Sequence, residues 1–345
     1  MRPRPSGEVL TGPAASWEGR NVTVAEVTRR LAELRCRVCG ATPHGRATLL
    51  NLVVWAPSDA DAEEAFALAR GLVGPSRVVV VSPGGAGEGI RARAVVHAAP
   101  SAIAGVTVCE ELVRIDLGGT VAAHAASVVL PLTRGDLPTF LWWPCAPRPD
   151  LACYRDLVGL VDRLVLESAR TAAGPEAVRL LAAEIGERAA AVTDLAWAAV
   201  TPWRQLIAQM LTPPRVAALR TGPSRATVRH PAGPPPLETL LLGGWLLDAI
   251  GGKLTVVPTQ AGHGVPPVAG IELTGPEGRT LRADRVEGSA SCTVRVVDEP
   301  GAAPRRRTLP LRLLDRAGLI AGELELQGHD ASFERAVRAA RALAG

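Results

Sequence analysis

Apolar residues recur along this chain in two rhythms, and the change between them falls about halfway. In the first half, unbroken apolar runs alternate with amphipathic stretches. TLLNLVVWAP (48–57) and SRVVVVSP (76–83) are continuous apolar runs, as strands covered on both faces of a sheet require. Between them SDADAEEAFALARGL reads as a helix, with Ser58 as its cap and Asp59, Asp61 and Glu63 in the first turns, where acids favour the dipole. Upstream, residues 23–36 place Val24, Val27, Leu31 and Leu34 at helical spacing, and Thr23 with Glu26 completes a capping box. Downstream, IRARAVVHA (90–98) and VTVCEELVRIDL (106–117) read as strands, TVAAHAASVVL (120–130) as a helix, and TFLWWP as a strand stopped by Pro144. These elements predict an α/β N-terminal domain over residues 21–170, a mixed sheet with flanking helices. Residues 1–20 are rich in Pro, Gly and Ser without periodicity and read as a flexible arm.

Residues 171–177 (TAAGPEA) have the composition of a linker. Helices follow in AVRLLAAEIGERAAAV, DLAWAAV and PWRQLIAQML, the last with Thr201 as N-cap, Pro202 at its first position and a stop at TPP (212–214). RATVRHP then reads as a strand and ETLLLGGWLLDAIGG as an apolar helix closed by paired glycines. Strand-like runs at 253–257, 268–274, 279–286, 290–298 and 307–314 are joined by turn signals such as GPEG and DEPG. A closing helix over 331–343 carries Phe333, Val337, Ala340 and Leu343 on one face. Residues 171–345 are therefore expected to form an α+β C-terminal domain with a largely antiparallel sheet.

Length and composition fit two such cores: 345 residues, 47% of them hydrophobic. The 38 basic and 34 acidic residues are interleaved and leave a net charge of +4, so no nucleic-acid face is expected. The one short basic cluster, Arg305 to Arg307, reads as a solvated hairpin. No secretory signal and no membrane span stands out, and six scattered cysteines read as reduced thiols of a cytoplasmic protein.

The motifs that carry chemistry are mostly incomplete. Gly85 and Gly87 in SPGGAGEGIR lack the third glycine and the following helix of a dinucleotide site, and read as a hairpin loop. Lys253 is the only lysine, and GGKLT is no phosphate-binding loop. Cys36 and Cys39 form a lone CxxC at a predicted helix end, which fits ordinary thiols, a redox-responsive pair, or half of a metal site lacking its other ligands. The six histidines show no HxH or HExxH spacing, and no serine sits in a GxSxG elbow. The acids at 59–64 and the pair Glu110 and Glu111 read as a solvated helix start and a strand edge. No catalytic residue, cofactor or metal site is assigned.

Two aromatic pairs stand out in a chain with seven Trp, three Phe and one Tyr. Strand alternation sends Trp142 and Trp143 to opposite faces, at the end of a strand where open α/β sheets form their crevice. Trp197 and Trp203 bracket a helix break. Each ring fits either a core or a partner surface. FLWWPCAP, then LVDRLVLESAR, then DLAWAAVTPWRQL resembles the OpcA family, the glucose-6-phosphate dehydrogenase assembly proteins of bacteria. RATLLNLVVWAP and PSRVVVVSP are also similar to that family's N-terminal domain, while the N-terminal arm, Cys36 and Cys39 depart from it. The resemblance implies a non-catalytic assembly factor that activates glucose-6-phosphate dehydrogenase and supports the oxidative pentose phosphate pathway. It points to Trp142, Trp143, Trp197, Trp203 and Arg204 as partner-interface residues. The competing expectation is an α/β enzyme binding a sugar phosphate or nucleotide.

Overall fold

The computed structural model describes residues 14–39, 46–47, 49–69, 76–84, 87–100, 107–187, 190–211, 224–251, 254–262, 265–297 and 305–344, with a few isolated positions besides. Residues 1–13, His44, Gly85, Lys253, His263 and most of the TPP stop lie outside the described residues. The first part of the chain runs β1 (Ala14–Arg20), α1 (Val24–Cys39), β2 (Arg46–Ala47), β3 (Leu50–Trp55), α2 (Asp59–Ala69), β4 (Ser76–Pro83), β5 (Gly89–Pro100) and β6 (Thr107–Gly118). It continues through α3 (Ala125–Val129), β7 (Thr139–Trp143), α4 (Ala152–Val158), β8 (Arg163–Leu166), α5 (Gly174–Glu187) and β9 (Ala191–Asp194). After α6 (Leu195–Ala199) and α7 (Thr201–Met210) come β10 (Ser224–Pro231), α8 (Leu237–Ile250), β11 (Leu254–Gly262), β12 (Gly270–Thr274), β13 (Thr280–Arg285), β14 (Ser291–Val297) and β15 (Arg305–Pro310). The chain closes with α9 (Arg316–Leu324) and α10 (Ala331–Ala340).

The first sheet has the order β1-β5-β6-β4-β3-β7-β8-β9, with β2 paired to β6. From β6 to β9 every pairing is parallel, whereas β5 is antiparallel to β6 and β1 to β5. The result is the mixed α/β sheet with flanking helices that the alternating runs predicted. β3 starts at its centre, β4 and β6 extend one side, and β7, β8 and β9 extend the other, which is a doubly wound order with its reversal between β3 and β7. The second sheet, β11-β10-β12-β13-β14-β15, is antiparallel apart from the β10/β11 pair.

Local signals in the first half formed as read. The Glu26 amide donates to Thr23 Oγ1 at 3.2 Å and the Asp61 amide to Ser58 Oγ at 3.1 Å, so both helix starts are capped as expected. Several expectations were altered by tertiary pairing. Residues 14–20 are not part of a loose arm; they form the edge strand β1, with Trp17 packed towards α1 and every second residue exposed. The loop after β4 joins no hairpin, because β6 lies between β4 and β5. The predicted helix at 120–130 breaks into a 3₁₀ turn, the five-residue α3 and a second 3₁₀ turn containing Pro131, whose ring cannot continue the α ladder. Thr201 opens α7 as its first residue, with Val200 before it. The 171–177 segment already starts α5 at Gly174, and β9 then extends the first sheet.

One apolar core runs from Val22 to Ala340 and joins the two sheets. α8 is apolar over most of its circumference, with Leu240, Leu241, Leu242, Leu246 and Ile250 buried, as a helix packed on several sides requires. Gly244 permits α10 to cross it closely: a Cβ there would lie 2.1 Å from the carbonyl oxygen of Ala336. A second cluster fills the opposite face of the first sheet with Leu52, Val54, Phe66, Val80, Trp142 and Val165, under Ile320 and Leu324 of α9. α9, unforeseen in the periodicity, is thus borrowed from the chain's far end to cover that face.

β9 ends in Asp194, whose Oδ1 accepts from the Ala196 amide at 2.8 Å and caps α6, while Oδ2 accepts from the Ser168 amide at 3.0 Å. The carboxyl is fully buried, and desolvation raises its pKa to about 6 against those two hydrogen bonds. The folded value therefore exceeds the unfolded one, so stability from this group is complete below about pH 4 and is lost as pH rises through 6. Two units correspond to roughly 3 kcal/mol. Asp194→Asn is less stable than the parent at low pH because it loses one acceptor, and the gap between them, measured by urea unfolding, should narrow by about that amount between pH 4 and 7. A gap independent of pH would show that Asp194 titrates as an exposed carboxyl does.

Candidate functional site

The reversal of strand order between β3 and β7 marks where an open α/β sheet takes a ligand, at the carboxyl ends of its strands. Here those ends carry Trp55 and Trp143. The two indoles lie on the same face of adjacent strands and stack with centroids 5.2 Å apart and planes 10° from parallel. Tyr154 of α4 closes on Trp143 edge-on at 4.8 Å. All three rings are buried, so aromatic packing occupies the sheet at its switch point.

The adjoining start of α2 has the wrong charge for a phosphate. A dinucleotide site needs glycines and free amides at that helix N-terminus. This one presents Ser58, Asp59, Asp61, Glu63 and Glu64. Arg114, only 6% exposed, answers them: it binds Asp59, Glu63 at 2.5 Å and Asp116 at 2.8 Å. Arg170 pairs with Asp61 at 3.1 Å. Arg316 of α9 makes a fork to Glu167 at 2.9 and 2.8 Å, reaches Glu64 at 2.5 Å, and lies 5.0 Å over the ring of Trp142. Planar bidentate pairing of this kind fixes geometry as well as charge. At the opposite end of α9, Glu323 meets Arg163 at 2.7 Å, both side chains at most 5% exposed, and Arg163 also donates to the carbonyl of Gly328 at 2.6 Å. α9 is therefore clamped to the first sheet at both ends.

The five residues singled out as an interface do not converge. Trp142 lies in the cluster under α9 and Trp143 in the main core, on opposite faces of β7. Trp203 is also in the main core. Only Trp197 and Arg204 meet. The Arg204 guanidinium stacks 3.5 Å from the Trp197 ring centroid and donates to Thr201 Oγ1 at 2.6 Å. Trp197 Nε1 donates to Asp330 Oδ2 at 2.8 Å, and the same carboxylate caps α10 through the amides of Ser332 and Phe333. The DLAW and TPWR segments thus tie α6, α7 and α10 together. All four tryptophans are 1–2% exposed, which corrects the expectation that they offer ring surface to a partner: in this conformation they are core. Arg204 is half-buried, and burial lowers its pKa to about 10 although Asp330 and Glu323 oppose the shift.

The cysteine pair is corrected as well. Cys39 is bonded to Cys109 of β6, across 70 residues, and Cys36 is a free exposed thiol one turn back along α1. Helical spacing placed Cys36 and Cys39 on neighbouring turns, but the sheet brings a closer partner to Cys39. The expectation that all six thiols are reduced fails with it. Glu110 and Glu111 are buried, not a solvated edge, since β6 is flanked by β5 and β4; Glu111 holds Arg77 at 2.6 Å. Burial raises the thiols of Cys145 and Cys153, which keeps them protonated at neutral pH. Among the described residues no three His, Cys, Asp or Glu side chains gather as a metal site, and no helix is long and apolar enough to cross a membrane. Trp55, Tyr154, Glu167, Arg316 and Asp330 were not singled out from sequence. Only Trp55 had a legible signal, since it ends its apolar run as Trp143 ends the next parallel one.

Residues 72–183 match the glucose-6-phosphate dehydrogenase subunit N-terminal domain of the OpcA family, and residues 190–337 match the corresponding C-terminal domain. A protein of Nostoc punctiforme named for the OxPP cycle, OpcA, is 31% identical over 181 residues, which are 51% of this chain and 38% of that protein. Its namesake in Synechocystis is 24% identical over 172 residues, 49% of this chain and 35% of that one. The chain thus spans little more than a third of the length of these curated relatives. Among solved structures, a 3-ketoreductase of Actinomadura kijaniata in complex with NADP aligns over 85% of this chain and 95% of its own, at 14% identity and a TM-score of 0.45, a likeness that bears on neither chemistry nor ligand. With both of its halves matched in order, this chain belongs to the OpcA family of glucose-6-phosphate dehydrogenase assembly proteins.

Proposed function

We propose that this protein is a non-catalytic partner of glucose-6-phosphate dehydrogenase that favours the dehydrogenase's active assembly, and so supports the oxidative pentose phosphate pathway in the cytoplasm. The observation that carries the reading is the pairing of family membership with a switch point packed by Trp55 and Trp143 beside an acidic helix start. A doubly wound sheet in that condition has surfaces to offer and little room for a nucleotide. The same two features weigh against the alternative of a sugar-phosphate or nucleotide enzyme.

A non-catalytic activator acts by differential affinity. If it binds the active oligomer more tightly than the inactive one, the population moves by that ratio and by nothing else. Its own requirement is a rigid face. On this reading Trp142, Trp143, Trp197, Trp203 and Arg204 are positioning residues: they fix the helices and strand ends that carry the contact surface.

Mixing the purified protein with its cognate dehydrogenase should raise the dehydrogenase's activity or shift its oligomer size in sedimentation. Two proteins that leave each other unchanged in both assays would remove the proposal. Within the protein, Trp197→Phe deletes the bond to Asp330 and weakens the Arg204 stack. It should cost about 1–2 kcal/mol in urea unfolding, since it removes a hydrogen bond to a charged, half-buried acceptor. Unchanged stability would mean that Trp197 does not anchor α10.

A further inference from the structure

The second sheet has one face against the core and, among the described residues, a second face that ranges mostly from half-buried to exposed. Alternation assigns them: Ala226, Val228, Ile271, Leu273, Leu281, Ala283, Val294 and Val296 point into the main core, so their neighbours in sequence point outward. In register across the sheet, the outward residues form a row running Thr227, Glu272, Arg282, Arg295 and Arg306. Three arginines therefore stand directly opposite one another on β13, β14 and β15. Arg225 and Arg229 of β10 share the face. Arg225, Arg295 and Arg306 are exposed, so nothing in the described chain covers the face at these positions.

Its acids are already engaged. Asp284 binds both Arg229 and Arg282, and Glu272 lies 3.3 Å from Arg282 and 3.9 Å from Arg229. Among the described residues, Arg225, Arg295 and Arg306 have no carboxylate partner. Five arginines against two carboxylates leave an excess of three positive charges here, in a chain whose net charge is +4.

Like charges directly opposite on neighbouring strands oppose pairing. Protection of the sheet edge explains part of the arrangement, because β15 is the terminal strand and cationic residues deter edge-to-edge association. That cause stops at β15. Arg295 is on β14 and Arg225 on β10, both flanked by strands on either side, and neither guards an edge. Edge protection does not account for them, whereas a planar row of guanidinium forks matches bidentate carboxylates.

We propose that the open face of the second sheet, centred on Arg295 and Arg306, docks a carboxylate-rich protein surface. On the functional reading above, that surface belongs to the dehydrogenase; the proposal deepens that reading and names the contact face. Arg282 and Arg229 are held in place by Asp284 and Glu272, and Arg225, Arg295 and Arg306 are the free contacts.

The test uses the full-length protein and its Arg295→Glu and Arg295→Lys variants, with the dehydrogenase and poly-L-glutamate as separate probes and duplex DNA as a control. Arg295→Glu places a carboxylate between Arg282 and Arg306, so its melting temperature should equal or exceed the parent's. Its affinity for the dehydrogenase and for poly-L-glutamate should fall about tenfold, while Arg295→Lys retains most of both. Parent affinity for both probes should drop as salt rises. Dehydrogenase binding that Arg295→Glu leaves intact overturns the contact face and spares the functional reading. No dehydrogenase binding by the parent, with poly-L-glutamate binding that depends on Arg295, overturns the functional reading and keeps an acid-docking face. Tighter binding to DNA than to poly-L-glutamate, or a lowered melting temperature in Arg295→Glu, overturns the proposal itself.

Discussion

Trp55 lies flat on Trp143 where two adjacent parallel strands end, and that contact decides what the first sheet can do. The strand order is one that elsewhere places a ligand at this reversal. Here two indoles and the edge of Tyr154 occupy it, and the helix that would greet a phosphate begins instead with carboxylates. Packing and ion pairs thus take up the positions around the switch point, and the proposed function rests on that arrangement.

The carboxylates at α2 are not idle. They draw Arg114, Arg170 and Arg316 into a network, and Arg316 belongs to a helix more than 140 residues downstream of its partner Glu167. Together with the buried Arg163–Glu323 pair, this network holds α9 across the face that carries Trp142. Buried pairs of this type contribute less to net stability than to uniqueness of arrangement, because desolvation offsets much of their attraction. The chain's last elements are therefore folded onto its first sheet, and the two sheets share one core. A partner meeting any one face would meet a body whose parts are fixed relative to one another.

Local physics was legible in the sequence. Capping residues gave both early helix starts, unbroken Val and Leu runs gave the buried parallel strands, and the turn-rich second half gave a mostly antiparallel sheet. What escaped depended on distant pairing. Residues 14–20 look like an arm because one edge strand with a single packed Trp has little periodicity, and β5 supplies the rest. α9 escaped because its apolar stripe is short and its docking site is on the other half of the chain. Cys39 found Cys109 because the strand order, which no spacing rule encodes, sets α1 beside β6. The tryptophans illustrate the same limit: alternation gave their faces correctly, but burial of those faces needed α9 on one side and α4 on the other.

The proposed function makes one central claim: that this doubly wound sheet, with Trp55 and Trp143 packed at its switch point, serves a partner and binds no nucleotide there. Calorimetric titration of the isolated protein with NADP⁺ and with glucose 6-phosphate tests it most directly. The account predicts no saturable heat for either compound. Saturable binding of NADP⁺ that disappears on changing Asp59 and Asp61, at the start of α2, would contradict it.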